Sequence, residues 1–128
     1  MGILLMIHSA VRWAIIVIAV IAIIKFALAL VTNASFKGMD RGLSSGYSGL
    51  MDLEITVGLI YFIWNGVAVA GFPSFRILHM IVMILAAALG HIPSRLKSMP
   101  DKLRFQYSLF AVIGSLVLVG VGLSLLPH

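Results

Sequence analysis

The chain contains no cysteine and few charges of either sign. Without thiols there is no disulfide framework, no iron–sulfur cluster and no thiol nucleophile. Only 10% of its 128 residues are charged, and four acids face nine lysines and arginines. There is no glycine-rich nucleotide loop, no H-E-x-x-H and no G-x-S-x-G. Those absences remove the usual signatures of nucleotide enzymes, zinc proteases and serine hydrolases.

Apolar side chains are what the chain has in excess: 62% of residues are hydrophobic and the mean hydropathy is +1.16. A soluble domain of this size leaves much of its surface in water, so it could not hide so much apolar area. Hydrocarbon must be part of the solvent. A spanning helix takes about 20 apolar residues, which leaves room for at most four or five spans and for almost no soluble domain. The apolar runs are continuous rather than alternating, which argues against a closed barrel. The net charge of +5 reads as topology and lipid contact rather than nucleic-acid binding.

The runs predict one all-α domain, an antiparallel four-helix transmembrane bundle with spans at about 3–31, 50–70, 75–92 and 105–126. The first is longer than a bilayer requires, so it tilts or protrudes. Thr32 to Ser48, with Gly38, Gly42, Ser44, Ser45 and Gly46, reads as a loop with at most a short interfacial turn. Gly71-Phe72-Pro73-Ser74 reads as a tight turn, and Pro93 stops the third span. Nothing at the N-terminus reads as a cleavable signal, because a basic leading segment is missing. No internal repeat stands out.

Orientation follows from lysine and arginine. Lys25, Lys37, Arg41, Arg95, Lys97, Lys102 and Arg104 fall on one side, and only Arg12 and Arg76 on the other. The positive-inside rule then predicts both basic loops in the cytoplasm and both termini outside, as in a bacterial inner-membrane protein. On this reading all four acids, Asp40, Asp52, Glu54 and Asp101, lie on the inner side. The Asn33-Ala34-Ser35 sequon would also face inward and is discounted.

Polar residues within spans need a reason. His8 lies a few residues into the first span and His79 a few residues into the third, so alternating spans bring both imidazoles to one face of the membrane. Arg12 is four residues from His8 and shares its helix face. One reading makes His8 and His79 axial metal ligands and Arg12 the partner of an anionic group. The other leaves Arg12 and Trp13 at the headgroup boundary, with arginine on lipid phosphate and tryptophan in the aromatic belt. Met83, Ala86 and Gly90 continue the face of His79. Methionine suits a cofactor wall or plain packing, and the small residues suit a flat ring or another helix.

His91 is twelve residues beyond His79, or ~18 Å along the axis, so the two cannot share a metal. It reads as an interfacial histidine, or as part of an inner-face polar site with Asp52 or a quinone headgroup. Asp52 is alternatively a partner for Lys25 or Lys97. Glu54 reads as a carboxylate near the N-terminus of the second helix, favoured there by the dipole. Asn65 reads as interhelical glue, and Gly114 and Gly122 as a packing stripe. The middle of the membrane reads as dry, which argues against a stand-alone transporter or channel.

His8-Ser9-x-x-Arg12-Trp13, together with histidines at both ends of the third helix, resembles a group of short bacterial four-helix membrane proteins, some of them labelled cytochrome b. It is similar, more distantly, to the cytochrome b561-type four-helix bundle. The resemblance covers nearly the whole chain. It implies haem b held between His8 and His79, and it departs from the two-haem pattern because His91 has no partner histidine. Two functions follow as expectations. One is a b-type haem electron-transfer protein or subunit near the outer face, passing electrons between quinol and a partner. The other is a non-catalytic accessory subunit of a respiratory or photosynthetic complex, in contact with lipid and other membrane subunits.

Overall fold

The computed structural model describes residues 2–127. Four helices carry the chain: α1 (Gly2–Thr32), α2 (Gly38–Asn65), α3 (Ser74–Gly90) and α4 (Asp101–Ser124). A π-helical turn, Gly66–Ala70, extends α2, and a 3-10 turn, Ile92–Arg95, follows α3. There is no strand among the described residues. All four helices, with these extensions, are long and apolar enough to cross a membrane.

Local chemistry sets the helix ends. Asn33 adopts the left-handed conformation (φ 53°) just after α1, a residue type and place suited to closing a helix. The Asp40 carboxylate accepts the backbone N–H of Lys37 at 2.9 Å. That contact, one half of a capping box, supports a helix start three residues earlier in the chain. Helix α2 therefore begins at Gly38, not at Leu50, and most of the expected Thr32–Ser48 loop is helical. Pro73 and Pro100 each precede a helix, where a missing N–H costs nothing.

Helix α1 packs on α2 and α4, and α3 packs on α2 and α4. Buried alanines line the seams: Ala19 and Ala22 on α1, Ala86 on α3. Gly90 lets Tyr47 approach to where a side chain would stand. At the end holding the α1–α2 connection, the rings of Phe26, Phe36 and Phe105 stack with centroids 4.9–6.2 Å apart. The Arg104 guanidinium lies 3.8 Å from the centre of the Phe36 ring. Large apolar side chains such as Trp13, Val31, Phe110 and Val117 point outward, a surface that suits hydrocarbon rather than water.

The interior is not dry. The buried face of α2 is Asp40, Ser44, Tyr47, Ser48, Met51, Glu54 and Val57, at helical spacings of three and four. This corrects the expectation of an apolar middle, and the cause is the early start of α2, which turns a polar stretch into a packed helix face. Lys25 Nζ donates to Asp40 Oδ1 at 2.9 Å. Lys25 is thus the partner of Asp40 and not of Asp52. The Tyr47 hydroxyl and Ser115 Oγ lie 2.6 Å apart, and Ser115 donates to the Ala86 carbonyl at 2.7 Å. One hydrogen-bonded chain thereby ties α2, α4 and α3.

Replacing Phe26 with Ala should lower stability by about 3–5 kcal/mol, because its fully buried ring anchors the aromatic trio. Ser115→Ala should cost less, about 1–3 kcal/mol, because it removes both hydrogen bonds of Ser115 and leaves the buried Tyr47 hydroxyl without that partner. Thermal melts followed by circular dichroism in detergent should rank the two in that order, with native helicity retained below the transition.

Candidate functional site

Three helices bring polar chemistry to one cavity of about 260 Å³, just below the usual range for ligand sites. From α1 comes His8, from α2 Glu54 and Gly58, and from α3 Arg76, His79 and Met83. Tyr61, Phe62 and Phe75 add aromatic wall, and Leu126 and Pro127 close it from beyond α4.

His8 and His79 share this wall, as their matching depths predict. Their surroundings differ. His79 Nδ1 lies 2.7 Å from the Gly122 carbonyl oxygen. A carbonyl only accepts, so Nδ1 carries the proton, and in the neutral ring Nε2 then holds the lone pair. His8 Nδ1 lies 3.1 Å from Glu54 Oε1, within ion-pair reach but not aligned as a hydrogen bond. Among the described residues, both rings are thus engaged through Nδ1 and neither Nε2 has a hydrogen-bond partner.

Glycines shape the fit. A Cβ on Gly58 would stand 3.0 Å from His8 Cε1, so α2 can meet the imidazole edge-on only with no side chain there. A Cβ on Gly122 would stand 2.8 Å from Met83 Sδ and 3.5 Å from His79 Nδ1. Gly122 is therefore more than a packing residue: its carbonyl serves His79, and its bareness makes room for Met83.

Glu54 belongs to the cavity and not to a helix N-terminus. It lies deep within α2, is only 3% exposed, and faces His8. The dipole account of it fails because α2 starts at Gly38. Its contact with His8 sets it toward the end of the bundle that holds the start of α1, whereas Asp40 lies toward the other end beside Lys25. Spacings of three and four from Asp40 through Ser44, Tyr47 and Met51 to Glu54 would have revealed this face, had the stretch been read as helix.

Arg76 is the second residue that sequence reasoning left out of the site. Its Nη1 donates to the Oδ1 of Asn65, which is buried at the end of α2. The signal was its place three residues before His79, on a neighbouring part of the same face. Arg12 is not part of the cavity wall; its guanidinium lies 5.7 Å from the Trp13 ring centre. Met83 is buried against Gly122.

His91 and Asp52 form a separate pair. His91 Nε2 lies 2.7 Å from Asp52 Oδ1, with both side chains substantially exposed. Among the described residues, no group of three or more histidine or acidic side chains is arranged to hold a metal ion. A site built on two imidazoles falls outside that pattern. Comparisons with protein-family models, curated proteins and solved structures find no match to this chain.

Gly58→Ala should displace the His8 ring by a few tenths of an ångström. Side-chain NMR of the histidines should show His8 shifted and His91 unmoved. Gly49→Ala, where the added carbon meets nothing within 4 Å, should leave both resonances in place.

Proposed function

We propose that the chain is a b-type haem electron-transfer protein or subunit of the membrane, with haem between His8 and His79. The observation that carries this reading is the pair of imidazoles in one apolar-walled cavity, each engaged at Nδ1 and each with Nε2 left over. Metal-bound histidines commonly hold their other nitrogen against a carboxylate or a backbone carbonyl, which fixes the tautomer and raises ligand basicity. Glu54 and the Gly122 carbonyl are partners of those two kinds. Haem iron is held by histidine nitrogen, so His8 and His79 are a donor set that would suit the group.

The surrounding residues have defined work in this reading. Glu54 and Gly122 orient the ligands. Met80 and Met83 are adaptable, polarisable wall, and Phe62 and Phe75 exclude water. Bound haem would supply one reversible electron per iron; the chain's residues set its potential through ligand basicity and burial. Quinol is the electron donor on this proposal, and other membrane subunits are the setting.

The same reading includes insertion in a bilayer as an antiparallel bundle. Contact pairs support the direction of the helices. Gly46 meets Ile18 and Gly58 meets His8, so partners on α1 fall in number as those on α2 rise. Likewise Gly114 meets Leu89 and Gly122 meets Met83 on α3. With the basic loops in the cytoplasm of a bacterial inner membrane, both termini and the cavity lie toward the outside.

Protein purified with added haem should show a Soret band that shifts on reduction. His8→Ala and His79→Ala should each abolish that band, and His91→Ala should leave it. A colourless, fully helical protein that takes up no haem would overturn the proposal and favour an accessory subunit.

A further inference from the structure

Arg76 is a cation with an unfinished set of contacts. It is half-buried in the cavity wall. One guanidinium nitrogen donates to Asn65, and the Phe75 ring centre lies 5.9 Å from its central carbon. None of the ion pairs among the described residues includes it. Among the described residues the only acid in the cavity wall, Glu54, faces His8.

A guanidinium stays charged and offers five N–H donors in a planar fork. In an apolar setting such a charge is costly unless an anion or several acceptors meet it. An arginine near a helix end ordinarily relieves that cost by stretching its head toward water. Here Asn65 holds the head at the cavity instead. Asn65 is itself buried, at the point where α2 passes into the π-helical turn Gly66–Ala70. Such irregular turns often occur at functional sites.

We propose that Arg76, positioned by Asn65, is the anion anchor of this cavity and takes a carboxylate side chain of the group bound there. This rests on the haem reading above, in which the group carries two propionates beside a ring held by His8 and His79. Planar fork and planar carboxylate match in two parallel hydrogen bonds. The anchor is then Arg76 on the helix of His79, and not Arg12 on the helix of His8.

The test compares haem b with its dimethyl ester, which keeps the ring and iron but has no charged carboxylate. Both are titrated into the purified full-length protein in detergent and followed by the Soret band. The wild-type protein should bind haem b about tenfold more tightly than the diester. Arg76→Gln should bind both forms alike, at the diester level, and Arg76→Lys should recover part of the preference. Arg12→Gln should keep the full preference, with circular dichroism confirming that each variant is folded.

Equal binding of the two forms by the wild-type protein would overturn the anchor and leave the haem reading standing. If in addition a phosphatidylglycerol co-purifies with the wild type and is lost from Arg76→Gln, the anion is a lipid phosphate, which also overturns the carboxylate assignment. Failure of both forms to bind removes the haem reading, and this inference with it.

Discussion

The rotation of helix α2 about its axis is the constraint on which the interior depends. Its inward face carries a carboxylate near one end, a tyrosine in the middle and a second carboxylate beyond. Among apolar neighbours each of these needs a partner. Lys25 meets Asp40, Ser115 meets Tyr47, and His8 meets Glu54. Turning α2 by one residue would break all three contacts together. An apolar face packs in several rotations of similar energy, but a face of specific polar pairs permits far fewer.

That same rotation builds the cavity. Once α2 is set, Gly58 falls beside the His8 ring and Asn65 beside Arg76. Helix α4 contributes from the other side, where the Gly122 carbonyl accepts a hydrogen bond from His79 Nδ1–H. Each imidazole is therefore oriented by a helix other than its own. On the haem proposal, this orientation by outside partners is what would ready the two rings as ligands. Backbone irregularities mark both ends: the π-helical turn, the positive φ of Gly71 and the proline that opens α3 lie here, and Asn33, the 3-10 turn and Pro100 lie at the other.

The opposite end has a different logic. Lys25, Asp40 and Arg104 pack among Phe26, Phe36 and Phe105. Charges and rings there secure the α1–α2 connection and the start of α4. The His91–Asp52 pair stands apart from this cluster, near the end of α3, with both side chains open to their surroundings.

Much of this was legible in the residues taken in order. Long apolar runs dictated four helices, because backbone polar groups in so apolar a chain are best satisfied within a helix. Equal depth in alternating spans was enough to bring His8 and His79 to one cavity, since rise per residue is constant. The pairing of His91 with Asp52 was also open to such reasoning. Glu54 and Arg76 were not, for a physical reason. Glycine and serine at positions 38–48 have weak helix propensity, so their helical state depends on packing and on the Asp40 contact rather than on local preference. Which carboxylate meets which histidine, and which arginine enters the cavity, are decided by the angles at which the helices rotate and cross. Spacing determines what shares a face of one helix; only the assembled helices determine what that face meets.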